Sequence, residues 1–94
     1  MSREQLGNAQ QEVLRRFHPK DIVALFSVRY HIVTDIERPF ASYSRKEYPW
    51  LLGGTDPREV IEFAKKQNAR SILYTDGWLL DCDRDLADEL VIIP

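Results

Sequence analysis

The chain has 94 residues, 44% hydrophobic and 30% charged, with 13 Lys/Arg against 15 Asp/Glu for a formal charge of −2. So short a chain supports one modest core, with roughly 5,600 Å² exposed when folded, and a single domain over residues 1–94 is expected. No apolar run approaches a membrane span, Ser2-Arg3-Glu4-Gln5 does not open a secretory leader, and the lone Cys82 fits a reducing, cytoplasmic setting.

The first element reads as a helix. Ser2 and Gln5 have the spacing of a capping box, and Leu6, Ala9, Val13, Leu14 and Phe17 recur on one face. Glu12 and Arg16 stand four apart in the favourable order. Pro19 disfavours helical geometry at His18, so the helix should end near Phe17.

From Ile22 to Ile36 the even positions are almost all apolar, while the odd positions turn polar from Arg29 onward. That alternation predicts one long strand. Glu37-Arg38-Pro39 would break it, and Phe40 to Ser44 could return as a short antiparallel strand. Arg45 to Gly54 then reads as a loop, long for a domain of this size.

The second helix has clear punctuation. Asp56 suits the N-cap, Pro57 the first helical position, Glu59 the far side of a capping box, and Asn68 the stop. Val60, Ile61, Phe63 and Ala64 supply its apolar stripe. Asp76-Gly77 between Ser71–Thr75 and Trp78–Cys82 predicts a hairpin. A helical turn over Asp83 to Glu89 and a last strand at Leu90-Val91-Ile92-Ile93 complete the order. The expected fold is a small α+β sandwich, with an antiparallel-rich sheet of four to five strands and two main helices.

Charge is uneven along the chain. Residues 1–70 hold 12 basic against 9 acidic residues, a net +3, whereas residues 71–94 hold only Arg84 against six acids, a net −5. The acidic end could steer a basic partner, or the two halves could attract each other.

Motifs for catalysis are sparse. Asp81, Asp83 and Asp85 alternate like oxygen ligands, but Leu86 and Ile92 occupy the positions where a calcium loop needs glycine and glutamate. Gly53-Gly54-Thr55 precedes a helix as an anion cradle would, yet Asp56 and Pro57 bring a negative charge and remove a donor. Cys82 beside His31 would pair a thiol with a base, but Asp81 and Asp83 would raise the thiol pKa. Neither a cofactor nor a metal site is expected.

Binding has better candidates. Tyr43, Arg45, Lys46, Tyr48 and Trp50 interleave aromatic and basic side chains in one loop. Such residues anchor protein interfaces, and they also stack on nucleic-acid bases. Their bland role is to pin the loop to the core. Tyr74 and Trp78 flank the Asp-Gly turn as further contact candidates, Tyr74 on an apolar sheet face. The sequence reading is a non-enzymatic protein-binding module: a regulator, adaptor or inhibitor of the kind mobile elements encode, contacting another protein or a second copy of itself. Two alternatives stand beside it. A nucleic-acid binder would gather Arg15, Arg16, Lys20, Arg29, Arg45 and Lys46 on one face; a metal-dependent enzyme would use Asp81, Asp83 and Asp85.

Overall fold

The computed structural model describes residues 1–51, 55–77 and 83–94. Helix α1 runs over Arg3–Arg16 and begins with the expected capping box: Ser2 Oγ accepts from the Gln5 amide and Gln5 Oε1 accepts from the Ser2 amide. Its apolar stripe is narrower than expected, because Leu14 is 43% exposed. Glu12 takes Arg15 at 2.6 Å, leaving Arg16 to reach Glu89 through two bonds of 2.7 and 3.3 Å.

Gln10 is buried on α1 and works as a clamp. Its Nε2 donates to the carbonyls of Ile36 and Arg38, and its Oε1 accepts from the Phe40 amide at 2.9 Å. Three backbone groups entering the core thereby find partners, as buried polar groups must.

The predicted long strand is instead a hairpin. Strand β1 spans Ala24–Phe26 and β2 spans Tyr30–Ile32, antiparallel, with Ala24 opposite Ile32 and Phe26 opposite Tyr30. Partners lie symmetrically about Val28, so even residues face even residues. The alternation is therefore identical in an unbroken strand and in this fold-back. Phe40–Ser42, expected to return as a strand, is a 3₁₀ turn in which the Ser42 hydroxyl donates to the Pro39 carbonyl at 2.6 Å. A second 3₁₀ turn covers Pro49–Leu51, inside the predicted loop.

Helix α2 covers Arg58–Lys66. The helix starts one residue later than expected, with Pro57 as its cap and no side-chain cap bond, and Asp56 Oδ1 accepts from the amide of its first residue, Arg58, at 3.1 Å. The predicted return bond from Glu59 is replaced: the Asp56 amide donates to the Ser27 carbonyl at 2.9 Å, tying the helix start to the hairpin turn. The C-terminus closes as a Schellman motif, with Asn68 at φ 52, its amide on Lys65 and the Ala69 amide on Ala64.

Strands β3, Ile72–Thr75, and β4, Glu89–Ile92, pair in parallel, joined by the dozen or so residues such a crossover requires. The chain bends at Gly77, which has φ +97 and whose amide donates to Thr75 Oγ1, while the hairpin predicted there extends beyond the described residues. The predicted returning strand at 78–82 lies outside the described residues. The helical turn expected from Asp83 onward is limited to its start, closed by the Leu86 amide on the Asp83 carbonyl, and Glu89 already belongs to β4.

These pairings overturn the four- to five-stranded antiparallel-rich sandwich. The described residues carry two helices and two two-stranded sheets, β1–β2 antiparallel and β3–β4 parallel, in a small α+β arrangement. Ala9, Phe40, Ile61, Leu73 and Ile93 are the buried apolar core, with Pro57 fully enclosed. The chain exposes 6570 Å², more than the roughly 5,600 Å² scaling gives for its size. No helix among the described residues is long and apolar enough to cross a membrane.

Candidate functional site

The 43–50 loop is built around His31 on β2. The His31 ring centroid lies 4.6 Å from that of Tyr48 and 5.7 Å from that of Tyr43, with the two tyrosines 5.6 Å apart. The rings meet tilted, as their quadrupoles favour, and Trp50 meets Tyr48 edge-on at 5.9 Å. Tyr48 and His31 Nε2 share a 3.3 Å hydrogen bond whose direction follows the imidazole tautomer.

Arg38 fastens the rim. Its guanidinium carbon stacks 4.0 Å over the Tyr43 ring, its fork makes bonds of 2.7 and 3.2 Å to the Glu47 carboxylate, and its Nε donates to Ser42 Oγ. The Glu47 bond raises the Arg38 pKa, and the Arg38 bond holds the Glu47 carboxyl below its ordinary value. Ser44 closes the loop, its carbonyl accepting from the Tyr48 amide at 2.8 Å.

The sequence-predicted contact residues consequently divide. Tyr43, Tyr48 and Trp50 are half-buried and pack on one another, whereas Arg45 and Lys46 project into solvent without a carboxylate partner among the described residues. Tyr74 is half-buried on β3, away from this ring cluster; Trp78 lies outside the described residues. Arg38 and Glu47 were not among the sequence candidates, and His31 entered only as a base for Cys82. Only the folding of the loop onto β2 brings them together.

Other chemistry finds less support. Loss of solvent around the Tyr48 phenol raises its pKa, away from the phenolate that a nucleophile would need. Asp83 is buried and Asp85 exposed, Asp81 lies outside the described residues, and no group of three potential metal ligands occurs among those described. Asp35 accepts from the Glu37 amide in a local turn. Gly53, Gly54 and Cys82 lie outside the described residues. Of the six cations a nucleic-acid face would gather, Arg15 and Arg16 are held by Glu12 and Glu89.

Several carboxylates of the acidic end are held by groups of the same chain. Asp88 accepts from the Ser71 amide and hydroxyl, Glu89 holds Arg16 with Arg70 at 3.9 Å, and Asp76 lies 3.3 Å from the Met1 amino group. Comparison with known protein families, characterised proteins and solved structures finds no match to this chain.

Proposed function

We propose that this chain is a small binding module, without catalytic activity, that contacts another protein through the outer face of the 43–50 loop. One observation carries the reading. The loop is stiffened from within by the His31–Tyr43–Tyr48–Trp50 cluster and the Arg38–Glu47 pair, while Arg45 and Lys46 stand outside it with no carboxylate partner among the described residues. A preorganised aromatic base loses little conformational freedom on association, and free cations on its rim select an acidic counterpart. Stacking on nucleic-acid bases is less favoured, because the Tyr43 face is taken by Arg38. A second copy supplies a poor counterpart, since Asp76, Asp88 and Glu89 are held within their own chain. With no second cysteine for Cys82, the proposed setting is the cytoplasm.

The test is tagged capture from lysate, with and without nuclease, read by mass spectrometry. The expected result is one dominant protein retained in both arms and lost in Arg45→Glu and in Lys46→Glu, with the melting temperature unchanged. Retention that collapses on nuclease treatment, or that ignores both charge reversals, would overturn the reading.

A further inference from the structure

Strand β4 has one side without a partner among the described residues. Its pairing with β3 uses the backbone groups of Glu89, Val91 and Ile93, with the Glu89 amide on the Ser71 carbonyl and the Ile93 amide on the Thr75 carbonyl. The N–H and C=O groups of Leu90 and Ile92 therefore point away from β3, and among the described residues no strand lies there. An open groove of about 390 Å³ runs along that side, between the end of β4 and Asn8, Gln11 and Glu12 of α1, with no β3 residue in its wall. Edge strands are ordinarily blunted by lysine, proline or a bulge. Glu89–Ile92 has none of these: its register with β3 is unbroken, Glu89 is occupied by Arg16, and Ile92 is 46% exposed.

A strand edge is met by another strand, and this edge fits a copy of itself. Antiparallel pairing about a two-fold axis at Val91 sets Leu90 of each copy opposite Ile92 of the other. Both positions face outward, so each exchanges N–H and C=O with its opposite. Other registers lose bonds. An axis at Leu90 sets Ile92 against Asp88, whose amide is already given to Ser71 Oγ; an axis at Ile92 sets Leu90 against Pro94, which has no N–H. The Val91 axis also keeps like charges apart, because Glu89 falls opposite Ile93 of the second copy. Gln5 reaches Ile93 and Arg16 reaches Glu89, so Val91 lies abreast of the middle of α1. There the exposed Gln11 is uncharged and Glu12 already holds Arg15. The 6570 Å² of exposed surface exceeds the scaling value by roughly 1,000 Å², enough for the approximately 800 Å² that each partner contributes to a standard interface. We propose that the protein forms a two-fold dimer through β4, its sheets joining in the order β3–β4–β4–β3.

The experiment is sedimentation equilibrium on the full chain between about 1 and about 100 µM, with amide hydrogen exchange read residue by residue at both concentrations. The mass is expected to rise to that of two chains, and exchange at the Leu90 and Ile92 amides to slow at least about tenfold with it. The Val91 and Ile93 amides, bonded to β3 within one copy, should stay protected throughout. Ile92→Pro removes a donor that the single chain does not use, so it should weaken association at least about tenfold and leave the melting temperature little changed. Ile92→Lys keeps the backbone donor and places an edge-guarding charge at an exposed position, with the same expected loss. A single-chain mass at about 100 µM would overturn the proposal. So would a dimer that survives both substitutions, or one whose Leu90 and Ile92 amides exchange as freely as at dilution, since the contact then lies elsewhere. A single-chain mass together with lysate capture lost in Ile92→Lys would assign the edge to another protein's strand instead. Arg45→Glu and Lys46→Glu, which test the loop, should leave the dimer mass unchanged, so the two readings fail separately.

Discussion

The Gln10 clamp shows how far one polar side chain can decide the path of a loop. A glutamine on the apolar side of a helix reads in sequence as a boundary residue, because nothing local names its partners. Those partners are the Ile36 and Arg38 carbonyls and the Phe40 amide, about thirty residues away. Gln10→Leu keeps the volume but strands one buried donor and two acceptors, so about 2–4 kcal/mol of stability should be lost, measured by urea unfolding. Gln10→Glu distinguishes bonding from packing. Its carboxylate would face two carbonyls, which raises its folded pKa. The variant should therefore recover stability below the ordinary carboxylate range and lose it as pH rises through that raised value. A pH-independent deficit would mean that shape alone matters there.

Among the elements, helices were legible and strand partners were not. The Ser2/Gln5 box, the Asp56-Pro57 start and the Asn68 stop are contained within a few residues, so their chemistry is local. The β1–β2 fold-back escaped because its symmetry about Val28 preserves the alternation, and Ser27-Val28-Arg29 has no glycine or asparagine to mark a turn. The positive φ of Gly77 was legible, because a glycine after an aspartate marks such a position. Which strand lies beside β3 was not, since β4 arrives only after a crossover. The site divides in the same way: the tyrosines and cations could be read from the loop, their packing on His31 could not. Asn68 allows a test of the local part. At φ 52 a β-branched side chain is strained, so Asn68→Val should cost about 1–2 kcal/mol, while Asn68→Gly should stay within about 0.5 kcal/mol of the parent. Equal unfolding midpoints for the two variants would contradict the Schellman ending.

Across the whole molecule, the uneven charge acts mainly to hold the two ends of the chain together. Arg16 near the N-terminus meets Glu89 near the C-terminus, and Gln5 Nε2 donates to the Ile93 carbonyl at 3.5 Å along the same contact. Exposed pairs of this kind contribute little singly and weaken with salt. Their common direction matters more. Glu89 is lowered by Arg16, Asp88 by the Ser71 amide, Glu47 by Arg38, and Asp56 by Arg58 to about 2. A carboxyl with a depressed folded pKa contributes stability that is present above its unfolded value and lost as pH falls through its folded one. The unfolded values are 4.5 for the glutamates and 3.8 for the aspartates. The urea midpoint should therefore hold steady from neutrality to about pH 5 and fall progressively below it, with the Asp56 share persisting to about pH 2. Asp88→Asn/Glu89→Gln should start from a lower midpoint at pH 7 and decline less steeply, because two of the titrating contacts are already gone. Parallel acid limbs for this variant and the parent would show that Asp88 and Glu89 do not contribute to the acid transition.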